Sequence, residues 1–263
     1  ILGILQQFGL PTATPTDAAT LFHYALSDKK GEAPKNRYSK KKVAPKSNEP
    51  TTIQPVARVK GMHRPRNYDV WTQKLFTNRR IISNNKEIDI VFAGDSITHL
   101  WGFQGKEEYQ KLMKKYSILN IGYSGDRTQH LLWRGLYGEL DGYKAKCVML
   151  MIGTNNTGHN TIENEPPMDT ILGIREILTE IRKKQPKATV VLLPIFPRGK
   201  DANDLKRIRN EIVNKEICKF CDGQTIFWCD FNDEFINEDG TLPQKLFPDY
   251  HYKRIYWDSY PRL

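Results

Sequence analysis

Short apolar runs and longer amphipathic stretches alternate along this 263-residue chain. The amphipathic stretches carry apolar residues every three or four positions, which is the spacing of one helix face. The short runs are rich in leucine and β-branched residues, as buried strands are. They span residues 89–93, 117–121, 147–152, 189–194 and 225–229. Five buried strands that alternate with helices predict an α/β fold of three layers, with a five-stranded parallel sheet between two layers of helices.

Two of the amphipathic stretches are regular enough to predict which side of the helix is buried. One runs from Ile171 to Ile181, and the other runs from Leu205 to Ile217. Apolar stripes of this kind are core faces far more often than cofactor sites, so both are expected to pack on the sheet. Functional residues of a parallel α/β sheet gather at the carboxyl ends of its strands, so catalytic residues are expected in the loops after the strands.

The first 60 residues differ in character from the rest of the chain. Residues 28–66 hold twelve Lys and Arg against three acidic residues, which accounts for nearly all of the net charge of +10. A basic run rich in Pro and Lys, without periodicity, is more typical of a solvated linker than of a nucleic-acid-binding surface. We therefore divide the chain into a partly flexible extension and basic linker, 1–60, and a domain, 61–263. No nucleic-acid-binding motif accompanies the basic run, so no specific nucleic-acid partner is predicted.

Composition excludes several further classes of protein. Four cysteines are too few for a disulfide scaffold in a chain of this length. The CxxC spacing of Cys218 and Cys221 has no second pair to complete a zinc site, so neither a metal nor another cofactor is expected. No run approaches the ~20 apolar residues of a transmembrane helix. A secreted or periplasmic location and a cytoplasmic one both fit these features.

Four loops carry the small and polar residues from which catalytic sites are built. A Gly-Asp-Ser block at 94–96 follows the first predicted strand, Gly-Asp-Arg-Thr at 125–128 follows the second, and Gly-Thr-Asn-Asn at 153–156 follows the third. A Phe-Pro-Asp-Tyr-His block occupies 247–251. Each block alone could be turn chemistry, since Gly, Asp, Ser and Asn all favour turns and helix starts. All four in this order are hard to explain as turns alone.

In combination, the blocks resemble the SGNH/GDSL hydrolase family, whose motifs supply serine, glycine, asparagine and histidine in that chain order. Leu-Trp-Arg at 132–134, Gly-Glu-Leu at 138–140 and Leu-Pro-Ile-Phe-Pro-Arg-Gly at 193–199 make the sequence most similar to esterases of the platelet-activating-factor acetylhydrolase catalytic subunit type and their bacterial relatives. The resemblance is dense over 88–200 and implies a flavodoxin-like SGNH hydrolase fold. It also implies a carboxylic ester hydrolase of the acetylesterase type that needs no cofactor.

The resemblance gives a role to each matched residue. Ser96 would be the nucleophile, and His251 would be the base that takes its proton. Asp249 would orient the imidazole and stabilise its charged form. The backbone N–H groups of Ser96 and Gly125, with the side-chain amide of Asn155, would form the oxyanion hole. Imidazole suits the proton transfer because its unperturbed pKa is about 6.5.

Three further residues of the same blocks are candidates for substrate binding: Asp95, Asn156 and Arg127. For Asp95 and Asn156 the competing and preferred interpretation is a side chain that braces its loop. For Arg127 a brace and a contact with a polar substrate group are both open. His99 follows the serine block closely enough to line a pocket, although a packing or surface role is more common for such a histidine.

The leading hypothesis is a serine esterase that removes a short acyl group, with acetyl as the first choice, from an oxygen ester of a carbohydrate or a lipid. Its partner would be a small-molecule or glycan acyl ester, and the resemblance allows a homodimer. One alternative is a thioesterase or lysophospholipase of the same fold. The other is a catalytically impaired binding or assembly module, because a single residue separates Asp249 from His251 where the family has two.

Overall fold

The computed structural model of the chain describes residues 50–58, 65–104, 106–158 and 165–243. Its strands are β1 (Glu87–Gly94), β2 (Ile118–Gly122), β3 (Lys144–Met151), β4 (Thr189–Leu192) and β5 (Ile226–Trp228). Its helices are α1 (Pro65–Asn84), α2 (Ser96–Gln104), α3 (Lys106–Met113), α4 (Thr128–Arg134), α5 (Thr154–Gly158), α6 (Pro167–Lys184) and α7 (Leu205–Ile217). A π-helical turn, Gly135–Glu139, follows α4. None of the described helices is long and apolar enough to cross a membrane.

The five strands form one parallel sheet in the order β2-β1-β3-β4-β5. Each of the five apolar runs overlaps one strand, so the predicted α/β class is confirmed. The chain runs outward from β1 to β2 and then crosses back to β3 on the other side of β1. This strand order places the topological switch point between β1 and β3, and ligands of open α/β sheets bind at such a point.

The sheet is buried on both faces, which explains why its strands are continuously apolar. Val91 and Ala93 of β1 pack in a core that includes residues of α1, α4, α6 and α7. Ile90 and Phe92 point to the opposite face, where the core includes Ile97 and other residues of α2 and α3. The chain therefore has the predicted three layers, with helices on both sides of the sheet.

The stripe on α6 is a core face as predicted, but the prediction for α7 is wrong over its first two turns. Leu205, Ile208 and Ile212 are 65%, 37% and 46% exposed, whereas Val213 and Ile217 are buried. The inward positions of these turns hold polar side chains instead. Arg207 donates to the carbonyls of Arg198, Gly199 and Gly240, and Asn210 donates to the carbonyl of Phe196. Over these two turns the helix therefore anchors the loops around it by hydrogen bonds, and only its last turns make apolar contact with the core.

Candidate active site

The carboxyl ends of β2, β1 and β3 lie level with one another. Gly94, the last residue of β1, pairs with Gly122 of β2 and with Met151 of β3. A Cβ atom on Gly94 would lie 2.2 Å from Thr98 Oγ1 and 2.4 Å from the carbonyl oxygen of Met151. A glycine is therefore needed at this point, because the first turn of α2 lies directly on the strand ends. The loops that carry the serine, glycine and asparagine blocks leave the sheet side by side.

Ser96 is the first residue of α2 and is half-buried. Asp95 precedes it and is almost fully buried at 1% exposure. Its Oδ1 atom accepts a hydrogen bond of 2.9 Å from the backbone N–H of Ile97, which is the contact of a helix N-cap. The N–H groups of a first helical turn have no partner within the helix, and they carry the positive end of the helix dipole. Ser96 is thus placed where a developing negative charge is favoured.

Burial, aided by the nearby Asp126 and opposed by the hydrogen bond from Ile97, raises the pKa of Asp95 to about 7. The folded protein therefore holds the Asp95 proton more tightly than the unfolded chain, whose aspartate pKa is about 3.9. It follows that the stability contributed by protonated Asp95 is lost as the pH rises between these two values. An asparagine at position 95 would keep a side-chain oxygen that accepts from the N–H of Ile97, and it would carry no charge into the interior.

We predict that the difference in unfolding free energy between Asp95→Asn and the wild type shifts in favour of the variant by about 1–3 kcal/mol when the pH is raised from 5 to 8. Urea unfolding at both pH values measures this difference. Asp233→Asn, which changes an exposed aspartate, is the matched control and should show no such gain. An Asp95→Asn advantage that is the same at both pH values would contradict the prediction.

The loop after β2 is fixed by hydrogen bonds where it leaves the strand. The N–H of Tyr123 donates to the carbonyl of Gly94 at 3.1 Å, which ties the loop to the end of β1. Ser124 is next to Gly125, and its hydroxyl oxygen lies 2.9 Å from His99 Nδ1. The backbone N–H of Ser124 donates to the same nitrogen at 3.3 Å. Burial lowers the pKa of His99 to about 3, helped by the charges of Lys74 and Arg134, so the imidazole is neutral. His99 thus braces the loop beside Gly125, whose φ of +78° favours glycine.

The asparagine block begins α5, and its two amides do different things. Asn155 Nδ2 donates to the carbonyl of Asp126 at 2.8 Å, so this side chain reaches across to the loop of Gly125. Asn156 is fully buried, and its amide contacts the N–H and hydroxyl of Thr128 and the side chain of Gln129. An amide nitrogen has two hydrogens, so Asn155 keeps a second one after its bond to Asp126. The contacts of Asn156 connect the asparagine block to the start of α4.

Asp126 of the second block forms a buried charged cluster next to Gly125 with Arg134 and Glu139, which belong to the Leu-Trp-Arg and Gly-Glu-Leu stretches. Asp126 Oδ2 accepts hydrogen bonds from Arg134 at 2.7 and 3.0 Å, and Arg134 also pairs with Glu139. Trp71 donates to Asp126 Oδ1 at 3.0 Å. Burial raises the pKa of Asp126, although Arg134 and Arg58 oppose it. Buried charges have to be paired in this way, so the cluster fixes the position of Asp126 and of its neighbour Gly125.

The remaining candidates fall into two groups. Arg127 forms a 2.7 Å ion pair with Glu165, and its side chain keeps 15% of its surface exposed. Asp249 and His251 lie outside the described residues. Sequence reasoning missed Arg58, which is 5% exposed and lies against Gly125. No motif marks Arg58, because it stands inside the basic run that was assigned to the linker.

The serine block, the glycine loop and the asparagine block thus follow three neighbouring strands of a flavodoxin-like sheet. Residues 92–254 match the model of the GDSL-like Lipase/Acylhydrolase family. The chain belongs to this family and is a carboxylic ester hydrolase, which confirms the resemblance drawn from the motifs.

Known relatives and solved structures agree with this assignment. The platelet-activating factor acetylhydrolase IB subunit alpha1 of Homo sapiens is 34% identical over 175 residues, which are 66% of this chain and 72% of that protein. The alpha2 subunit of Rattus norvegicus is 32% identical over 169 residues, covering 63% of this chain and 69% of the subunit. Two solved structures share the fold. A protein described as a platelet activating factor from Streptococcus pneumonia has a TM-score of 0.55 at 20% identity, covering 68% of this chain and 81% of that one. An acylhydrolase from Bacteroides fragilis has a TM-score of 0.50 at 16% identity, covering 65% and 88%.

Proposed function

We propose that this chain is a serine esterase that removes short acyl groups, with acetyl as the first choice, from an oxygen ester of a carbohydrate or a lipid. The observation that carries the proposal is the set of hydrogen bonds joining the three loops at the sheet edge. Tyr123 bonds to Gly94, and Asn155 bonds to Asp126. These bonds hold Ser96, Gly125 and Asn155 at adjacent strand ends before any substrate arrives.

The same residues act in both halves of the reaction, the acylation of Ser96 and the hydrolysis of the acyl-enzyme. His251 takes the proton of Ser96 as the serine oxygen attacks the ester carbonyl, and Asp249 stabilises the imidazolium that forms. The carbonyl oxygen becomes an oxyanion, which accepts hydrogen bonds from the N–H groups of Ser96 and Gly125 and from the amide of Asn155. The C–O bond to the alcohol then breaks, and the alcohol leaves with the proton from His251. Water attacks the acyl-enzyme by the same steps and releases the carboxylic acid.

The preference for a short acyl group is supported by the relatives, which are named acetylhydrolases. A pocket that accepts an acetyl group rejects longer chains by steric exclusion, because even one additional methylene can change kcat/KM by about 10-fold or more. Asp95 and Asn156 serve the substrate indirectly in this account, since their polar atoms bond within the loops. Arg127 lies on the same loop as Gly125, where it is paired with Glu165 from the segment before α6, and it is the candidate for contacting a polar group of the alcohol half.

Hydrolysis of p-nitrophenyl esters with acyl chains of two, four, eight and twelve carbons tests the proposal. We expect kcat/KM to fall by about 10-fold or more between the acetyl and the eight-carbon ester. A maximum at eight or twelve carbons would favour the lysophospholipase or thioesterase alternative. No hydrolysis above the rate of Ser96→Ala for any ester would contradict an acyl-transfer function and favour the binding module.

A further inference from the structure

Arg58 lies against the glycine of the proposed oxyanion hole. Its side chain is 3% exposed, and its Nε atom is 3.5 Å from Asp126 Oδ1. A Cβ atom built on Gly125 would lie 2.3 Å from Arg58 Nη2 and 3.4 Å from Arg58 Cζ. The guanidinium therefore occupies the space beside Gly125 that a side chain would fill. No other residue has an atom among the three nearest to that position.

Arg58 belongs to the segment 50–58. Upstream of Arg58, this segment is hydrogen-bonded to the domain. Thr52 is fully buried, and its hydroxyl donates to the carbonyl of Asp169 in α6 at 2.5 Å. Its carbonyl accepts from the hydroxyl of Thr128 at 3.1 Å, and the N–H of Val56 donates to the carbonyl of Gln129 at 3.2 Å. Both of these residues belong to α4, the helix that follows the Gly125 loop. The segment therefore holds Arg58 at a defined place beside this loop.

The charge of Arg58 is only loosely neutralised. Its Nε and Nη2 atoms are buried and have no hydrogen-bond partner among the described residues. The nearest carboxylate, Asp126, already accepts close hydrogen bonds from Trp71 and Arg134. Burying a guanidinium with two nitrogens that have no hydrogen-bond partner in the described part of the chain lowers the stability of the fold, because a buried donor without a partner costs free energy. A residue whose burial is unfavourable and which lies beside a catalytic loop suggests a role in catalysis.

We propose that Arg58 is a positioning residue for acyl transfer, and this inference rests on the proposed function. It acts through Gly125: the guanidinium fills the space beside the glycine and keeps the loop backbone in its left-handed conformation. Its fixed positive charge also lies next to the peptide whose N–H meets the oxyanion. Preorganised charge of this kind stabilises the transition state more than the bound substrate. Loss of Arg58 should therefore lower kcat and leave KM nearly unchanged.

The test compares Arg58→Met, Arg58→Lys and the control Arg175→Met, which changes an arginine on α6 with 55% of its side chain exposed. With p-nitrophenyl acetate, we expect Arg58→Met to lower kcat by about 10- to 100-fold, less than the loss of a direct oxyanion donor, while KM stays within about threefold. Arg58→Lys keeps the charge and should recover most of the lost kcat. Arg175→Met should match the wild type.

Hydrogen exchange followed by mass spectrometry gives a second measurement that needs no turnover. Arg58→Met should speed exchange in peptides covering 121–127 and leave peptides from β3 and β4 unchanged. Wild-type kcat and wild-type exchange in Arg58→Met would overturn the inference. Faster exchange throughout the domain would also overturn it, because it would show a role in stability alone. If the wild type lacks turnover that depends on Ser96, the proposed function fails. The exchange result would still decide whether Arg58 holds the loop of Gly125 in place.

Discussion

Replacing Ser96 by alanine is expected to lower kcat for p-nitrophenyl acetate by at least about 10³-fold, because the reaction loses its nucleophile and its acyl-enzyme. The side chain of Ser96 is half-buried at the start of α2. Losing one hydroxyl there should change the stability of the fold little. Thermal unfolding of the variant should therefore resemble that of the wild type, which separates a catalytic loss from unfolding.

The matched control for this variant is Ser83→Ala. Ser83 lies in α1 and is exposed, and its hydroxyl donates, within the described part of the chain, to groups of its own helix. It should keep wild-type turnover. Equal rates for Ser96→Ala and the wild type, measured on the same ester and above the buffer rate, would show that another group performs the attack.

The second large effect is expected at Asn155, whose amide is the one side-chain donor of the proposed oxyanion hole. Asn155→Ala should lower kcat by about 10²- to 10³-fold, which corresponds to roughly 3–4 kcal/mol of transition-state stabilisation. KM should change little, because the donor is used most fully when the oxyanion has formed. Asn155→Asp should be at least as damaging, since a carboxylate cannot donate and its charge opposes the oxyanion. Steady-state kinetics of both variants on p-nitrophenyl acetate measure these effects.

Asn155 also bonds to the carbonyl of Asp126 at 2.8 Å, so part of the loss in Asn155→Ala can come from movement of the Gly125 loop. Asn237→Ala is the matched control, because Asn237 is exposed and, among the described residues, its side-chain amide bonds to Thr241, four positions away. It should retain wild-type kinetics. A loss in Asn155→Ala that appears wholly in KM would contradict the assignment, because it would indicate a contact with the bound substrate.

The sheet could be predicted from the sequence because its physical signal is local. Strands such as β1 are buried on both faces, so nearly every position of the run is apolar, and the loop residues after it are small. The order of strands within the sheet does not follow from such patterns. The resemblance implied only a flavodoxin-like fold. The structure gives the order β2-β1-β3-β4-β5, which makes the loops after β1, β2 and β3 neighbours.

The sequence was less informative where a side chain's partner lies far along the chain. The apolar residues on α7 predicted a core face, but Leu205 and Ile212 are exposed, because the inward positions belong to Arg207 and Asn210. Their partners are backbone carbonyls of neighbouring loops, and a hydropathy pattern contains no information on those. Arg58 presents the same difficulty, since in the sequence it is one of the twelve Lys and Arg residues of the basic run 28–66. Only the fold brings it against Gly125.

Covalent labelling tests most directly the claim that Ser96 is a nucleophile held in an acyl-transfer site. The native chain would be treated with a fluorophosphonate, whose phosphorus reacts with an activated serine oxygen as fluoride leaves, and then mapped by peptide mass spectrometry. We expect one adduct in the wild type, on Ser96, and none in Ser96→Ala, with Asn155→Ala reacting more slowly. An unlabelled wild type, or an adduct on another serine that persists in Ser96→Ala, would contradict it.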